Sequence, residues 1–349
     1  DGVSRPYTYK GNNLKKFYGG GQTFINTVAI SSATEKSNVR VSYSNLDNTD
    51  IIPNSTLNRN SLGINASQKF RNFVADINIK YIQDDAIGAP NLSDSPGNAN
   101  FGIRLFAPNI DVNDMRGAGG LGTNEDGSEF RTSDNTFSQN PWFAAYQFIN
   151  NSVKERVIAS ANLRWNMTDF LYLSGRFGQD RFDYNRRDIT PYGTAYQPLG
   201  AMSEYKLTNV QRDADLFLGT DNLKIQEDLS VTAFVGVGKN YQNAESVTAS
   251  GGNFIVPYLY TVGNTQNQSA GYGFNEKQIN SAYGSAEIGF KDAMFLTLTA
   301  RNDWFSTLSL PGKEAPNNDL YTSASFSLVL SDMFKLPEVI SFAKLRAGY

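Results

Sequence analysis

The chain has 349 residues and a net charge of −3, and it contains neither cysteine nor histidine. Thiolate zinc sites, disulfide frameworks and histidine-based catalytic triads are therefore excluded within it. A slightly acidic chain offers no clustered cationic surface of the kind that nucleic acid requires, so we predict no nucleic-acid partner. No apolar run approaches the roughly 18 residues of a membrane-spanning helix, but the strands of a membrane barrel look polar on average because they alternate.

Apolar and polar residues alternate along most of the chain, which is the strand period because successive side chains point to opposite faces of a sheet. In chain order, strands are predicted over residues 23–32, 38–46, 60–70, 73–83, 156–167, 170–182, 205–220, 229–240, 281–290, 294–304, 321–330 and 341–349. No helical pattern of comparable strength is present. We therefore predict an all-β antiparallel chain of about twelve strands.

The predicted connections alternate between short and long. Arg71 and Asn72 form the shortest turn, for which a positive φ is expected at the asparagine. Parity requires three turn residues at 291–293, because Phe290 and Met294 otherwise point to opposite faces. The long connections are predicted at 47–59, 85–154, 186–203, 247–276 and 306–320. They all leave one end of the sheet, as in outer-membrane barrels with short periplasmic turns and long extracellular loops.

The apolar face of these strands needs a cover, which is either lipid or the second sheet of a soluble sandwich. Two features favour lipid. The apolar faces are nearly free of charge over about nine to eleven residues, the length with which a tilted strand crosses the hydrocarbon. Aromatic residues lie on this face beside three short turns, at Phe70, Phe73, Trp165 and Phe290, as in an interfacial girdle. The sequence therefore predicts a transmembrane sheet.

Several segments resemble the SusC/RagA-like branch of the TonB-dependent outer-membrane transporters. They include NPWFAAYQFINNSVKERVIAS at 140–160, FIVPYLYTVGN at 254–264 and YGSAEIGFKDAMFLTLTARNDWFSTL at 283–308. The resemblance covers almost the whole chain. It implies that residues 1–349 are the middle part of a β-barrel domain of about 22 strands. The plug, the TonB box, the N-terminal domain and the last strands are then expected to lie outside this sequence.

The resemblance also implies a function, namely the TonB-dependent import of large nutrients across the outer membrane of a Gram-negative bacterium. A SusD-like surface lipoprotein is the expected partner beside TonB and the surrounding lipid. Glycans or oligosaccharides are the expected cargo, with peptides as the other substrate class. No enzymatic activity and no cofactor are predicted. A secreted or surface-attached all-β binding or adhesin module and a plugless passive porin stay open as alternatives.

Substrate contacts are expected on the long loops, because a rigid scaffold with variable loops is the usual way of building a binding site. Aromatic side chains on these loops are candidates for stacking on sugar rings, namely Trp142, Tyr146, Tyr192, Tyr196, Tyr258 and Tyr260. The segments 140–142 and 257–260 also suit a structural role, in which they pack against neighbouring loops or against the lid lipoprotein. That structural interpretation is the favoured one for these two segments.

Three further motifs do not predict a site. The glycines of 117–122 spell GxGxxG, but no strong strand precedes them, so a flexible loop is expected. Asp111 starts a pattern like that of a calcium loop, yet Gly122 stands where the bidentate glutamate belongs, so no metal site is predicted. Asp213 and Asp215 share one strand face and are interpreted as charge lining a lumen rather than as a glycosidase pair. No catalytic residue is therefore predicted.

Overall fold

The computed structural model describes residues 4, 6–131, 133–309, 312 and 316–349. Its strands are β1 (Gln22–Ala33), β2 (Ser37–Thr49), β3 (Thr56–Phe70), β4 (Phe73–Ile87), β5 (Ile149–Asn166), β6 (Leu171–Thr190), β7 (Ala201–Thr220), β8 (Leu223–Gln226), β9 (Leu229–Phe254), β10 (Thr265–Phe290), β11 (Met294–Phe305), β12 (Asn318–Val329) and β13 (Lys344–Gly348). The helices are α1 (Asn13–Phe17), α2 (Ala99–Arg104), α3 (Pro141–Tyr146) and α4 (Leu330–Met333). Short 3₁₀ segments occur at Val112–Arg116, Val262–Asn264 and Ser306–Leu308.

The strands of the described residues form one antiparallel sheet in which neighbours in sequence are neighbours in space. The predicted all-β class and the twelve predicted strands are confirmed. The short strand β8 was not predicted, because four residues are too few to show a period. It pairs with the start of β9 beside the main path of the sheet. None of the helices in the described part of the chain combines the length and apolar composition of a transmembrane helix.

The long connections are shorter than predicted because the strands continue beyond the apolar residues. The predicted loop 247–276 is reduced to 255–264, and the predicted loop 186–203 is reduced to 191–200. In the added strand segments the ladder of backbone hydrogen bonds continues, while serine, asparagine and glycine replace the apolar residues. Apolar residues are sparse in these segments, so their alternation is too weak to distinguish them from loops by periodicity alone.

Both predicted tight turns are present. The three-residue turn is confirmed, since Phe290 pairs with Met294 and the φ angles of Lys291 and Asp292 are 55° and 51°. The two-residue turn between β3 and β4 is confirmed in length, but its positive φ, 50°, is at Arg71. The expectation that Asn72 takes the positive φ is therefore wrong, because in this turn the residue with positive φ occupies the first of the two positions.

One face of the sheet is apolar across all the long strands. The pairs Ile288–Leu296, Ile288–Val231 and Ile77–Ala161 show how registers align apolar residues on that face. Ile77, Val235, Ile288 and Leu296 are 44%, 65%, 37% and 37% exposed. Within the described residues no second sheet covers this face.

The buried core lies at the end of the sheet from which the long connections leave. One cluster joins α1, α2 and α3 around Phe17, Ile103 and Val112. A second cluster joins the ends of β6, β7 and β9 through Ile189, Met202 and Phe254. The loop end therefore contains two packed clusters of buried side chains.

Candidate substrate-binding surface at the loop end of the sheet

The connection between β4 and β5, residues 88–148, folds into a compact unit that we call the loop-end lobe. Trp142 lies in its core and is only 2% exposed. Its indole N–H donates to the carbonyl of Val112 at 2.7 Å, and the guanidinium carbon of Arg116 lies 3.8 Å from the ring centroid. Tyr146 is half-buried and stacks on Trp142 with ring centroids 6.3 Å apart. The structure thus places the Trp142 side chain among protein groups in the core of the lobe.

Asn140 is the hydrogen-bonding centre of this lobe and is 2% exposed. Its Oδ1 accepts from the backbone N–H of Trp142 at 3.0 Å, which caps α3. Its Nδ2 donates to the carbonyls of Met115 at 2.6 Å and Phe130 at 2.9 Å. The dipeptide Asn-Pro at the start of α3 is a recognisable signal, because asparagine caps helices and proline suits the first helical position.

Glu129 joins the lobe to the loop between β6 and β7 and is 4% exposed. Its Oε1 accepts from the backbone N–H of Asn140 and its Oε2 from that of Ala195, both at 2.9 Å. Its own N–H donates to the carbonyl of Gly193 at 2.9 Å. Burial raises the pKa of the Glu129 carboxyl, and the two N–H donors oppose that rise only in part. Sequence reasoning missed this residue, because its partners in the other loop are more than sixty positions away.

The structure brings three of the candidate tyrosines together next to the lobe. The rings of Tyr192 and Tyr258 lie 5.6 Å apart, and the Tyr258 hydroxyl donates to the carbonyl of Asp126 at 2.6 Å. Tyr260 packs on Phe254 at 5.2 Å, and burial raises the pKa of its phenol. Tyr258 is 48% exposed, so it presents a ring face to solvent while its hydroxyl is held.

Tyr196 belongs to a second aromatic pair in the same region. Its ring stacks on Phe137 with centroids 6.1 Å apart, and Phe137 is exposed. Burial raises the pKa of the Tyr196 phenol, and the charge of Glu129 adds to the rise. The two pairs are the candidate surface for planar or ring-shaped ligands, since preorganised aromatic side chains bind with little loss of conformational entropy.

The tip of the β9–β10 hairpin is rigid although it is apolar and exposed. The buried side chain of Asn264 donates to the carbonyls of Val256 and Leu259 at 2.8 and 2.7 Å and accepts from the N–H of Val256 at 3.0 Å. Ile255, Val256, Tyr258 and Leu259 are exposed together at this tip. A fixed apolar surface of this kind is typical of a contact with another molecule.

The polar face of the sheet carries charges that are mostly paired. Tyr283 donates to Asp215 at 2.7 Å, and Arg176 approaches the same carboxylate at 3.7 Å. Asp213 accepts from the side chain of Asn240. Asp213 and Asp215 therefore have separate partners. No group of three or more acidic residues suited to a metal ion occurs in the described ranges.

The glycine motif at 117–122 and Asp111 have structural roles in the loop-end lobe. Gly117 and Gly122 adopt φ angles of 70° and 89° in turns within the lobe, where neighbouring residues of the lobe leave no room for a side chain. Asp111 caps the 3₁₀ segment by accepting from the N–H of Asn113 at 3.0 Å, and it binds the Lys16 ammonium at 2.5 Å. Its oxygens are thus engaged by protein groups.

Comparison with known proteins supports the fold. No protein-family model and no curated protein matches the sequence. The RagAB peptide importer matches in its closed-closed state with a TM-score of 0.77 and 14% identity, and in its open-open state with 0.78 and 15%. Each match covers 96% of this chain and 37% of that chain.

The ferripyoverdine receptor of the outer membrane of Pseudomonas aeruginosa matches with a TM-score of 0.54 and 12% identity, covering 89% of this chain and 39% of that chain. The chain therefore spans less than two fifths of the length of these solved structures. At such identities the likeness concerns the fold. The described residues share the fold of the matching part of the RagAB peptide importer and of this outer-membrane receptor, which agrees with the resemblance seen in the sequence.

Proposed function

We propose that this chain forms part of the wall of a TonB-dependent importer in the outer membrane of a Gram-negative bacterium. The observation that carries the proposal is the single sheet whose apolar face is uncovered and whose strand arrangement matches an importer over 96% of the chain. An outward apolar band suits acyl chains, and a polar opposite face suits a water-filled or plugged lumen. The energy source is TonB, acting through parts of the protein other than this sheet.

A SusD-like surface lipoprotein is the proposed partner at the loop end. The rigid apolar tip at 255–259 supports a protein contact there, because an exposed apolar surface held by a buried asparagine is costly unless another molecule covers it.

Oligosaccharides are the proposed cargo. The Tyr192–Tyr258 and Phe137–Tyr196 pairs offer aromatic faces on which sugar rings can stack. Peptides are the second candidate, and the specific observation in their favour is the likeness to a peptide importer. Aromatic faces alone do not distinguish the two classes, so the test must compare them directly.

Uptake by cells tests the proposal. A strain that lacks the gene is complemented with the full-length protein and given fluorescent oligosaccharides or fluorescent peptides of similar mass. We expect uptake of oligosaccharides that stops when TonB is deleted. Uptake that persists without TonB would instead identify a passive porin, and uptake of peptides alone would correct the cargo class. Absence of uptake of both probes, with the protein folded in the outer membrane, would contradict import.

A further inference from the structure

A pocket of about 300 Å³ opens on the outward face of the sheet, between β6, β7, β9 and β10. The residues that line it are Phe177, Arg212, Ala214, Lys239, Tyr241 and Gln278. They occupy two neighbouring rows of the strand ladder, since Ala214 pairs with Phe177 and Lys239 while Arg212 pairs with Tyr241. We call it the rim pocket.

The strand register places the rim pocket at the edge of the apolar face that is nearer to the long connections. Leu216 pairs with Val237, both on the exposed apolar face, and Ala214 and Lys239 follow two residues further along the same strands. Side chains two apart on a strand share a face, so the pocket opens toward the same side as the band. On β9 the band runs over residues 229–237, from the short-turn end to this pocket.

The position of the pocket along the strands indicates which leaflet of the outer membrane it faces. Nine strand residues correspond to roughly 30 Å along the chain, which a tilted strand needs to cross the hydrocarbon. The band ends at the pocket, on the side of the long connections, which are extracellular in outer-membrane barrels. The rim pocket therefore lies where lipid headgroups of the outer leaflet meet water.

The pocket carries two cations without acidic partners. Arg212 donates from Nε to the amide oxygen of Gln179 at 3.0 Å, and no ion pair within 4.0 Å involves Arg212 or Lys239 in the described part of the chain. The nearest outward carboxylate on β6, that of Asp183, is already held by Arg181 at 3.2 Å and Thr208 at 2.6 Å. Two exposed cations thus remain beside each other at an apolar boundary.

We propose that the rim pocket binds the phosphorylated headgroup of an outer-leaflet lipid. The Arg212 guanidinium suits two phosphate oxygens at once, and the Lys239 ammonium adds a second positive charge on the diagonal neighbour position. Phe177 and Ala214 provide an apolar floor for the adjoining part of the lipid, and Tyr241 is an interfacial aromatic. The proposal goes beyond nutrient import and rests only on the placement of the sheet in the membrane.

Lipid binding by the full-length protein in an uncharged detergent tests this site. The probes are a diphosphorylated lipid A, its dephosphorylated analogue and inorganic phosphate. We expect the phosphorylated lipid to bind at least about tenfold more tightly than its analogue, because each cation near an anionic headgroup contributes to the affinity. Arg212→Gln combined with Lys239→Gln should remove that ratio, while inorganic phosphate should bind no better to the unaltered protein than to the variant.

The matched control is Arg186→Gln combined with Lys277→Gln, which removes the same charges from the opposite face of the sheet. It should keep the tenfold ratio. Equal binding of the two lipids by the unaltered protein, or loss of the ratio in the control, would overturn the site. Tight binding of inorganic phosphate without tight binding of the phosphorylated lipid would show that the site binds free phosphate rather than a lipid headgroup. Cargo uptake should be unchanged in the Arg212 and Lys239 variant, so failure of this proposal is separable from failure of the import proposal.

Discussion

Asn140 offers the sharpest test of how the loop-end lobe is held together. Asn140→Ala removes one acceptor and one donor group from a side chain that is 2% exposed. The carbonyls of Met115 and Phe130 and the N–H of Trp142 then lose their partner. A buried backbone group without a partner costs about 1 to 3 kcal/mol. Three such groups, partly relieved by entering water, should cost the lobe about 3 to 5 kcal/mol.

Hydrogen exchange measures this loss locally, because a lobe can open while the strand ladder stays closed. At about 1.4 kcal/mol for each factor of ten, amides of the lobe should exchange roughly 100- to 4,000-fold faster in Asn140→Ala. Amides of β9 and β10 should keep their protection. Asn113→Ala is the control, since its side chain is exposed in the same lobe. A change of less than about threefold relative to this control would refute the assigned role of Asn140.

Three further predictions concern a buried charge, the apolar face and the candidate surface. Because burial raises the pKa of Glu129, the closed lobe binds the carboxyl proton more tightly than the open lobe. Protection of the lobe amides against hydrogen exchange should therefore increase as the pH falls from neutrality toward the ordinary carboxyl range. Glu129→Gln should abolish this pH dependence, and protection that decreases as the pH falls would contradict the prediction. Val235→Arg on the apolar face should lower the free energy of unfolding by about 2 to 4 kcal/mol and reduce the amount of heat-modifiable folded protein on gels. Thr232→Arg on the polar face should do neither. Equal losses in the two variants would contradict the assigned faces. Tyr258→Ala should weaken oligosaccharide binding, measured by calorimetry, about tenfold or more. Tyr258→Phe, which keeps the aromatic ring, should bind as well as the unaltered protein. Unchanged binding in both variants would show that Tyr258 is not part of the site.

The strand pattern was predictable where one face of the sheet is apolar. Along β9, the residues at 229–237 alternate between an apolar and a polar face. Beyond Val237 strongly apolar residues become sparse, although the same strand continues to Phe254. The predicted loop at 247–276 was wrong for that reason. Strand β8 was not predicted because its four residues are too few to show a period.

The candidate aromatic residues show where local pattern stops being informative. Trp142 and Tyr258 both lie in long connections and look alike in sequence, yet one is in a core and the other is half exposed. Their difference depends on contacts with Val112 and with Asp126, which are 30 and 132 positions away. Contact between cargo and either aromatic pair, Tyr192–Tyr258 or Phe137–Tyr196, stays a prediction until binding is measured.

By itself, the sequence determined the number of long strands, their order, the parity of their turns and which face is apolar. These properties follow from side-chain alternation and turn length, which are local. Only the tertiary structure decided which residues meet across strands and loops, as Glu129 meets Ala195 and Arg212 comes to lie beside Lys239. Such meetings depend on strand register and loop packing, which join residues far apart in the chain, so no local period encodes them.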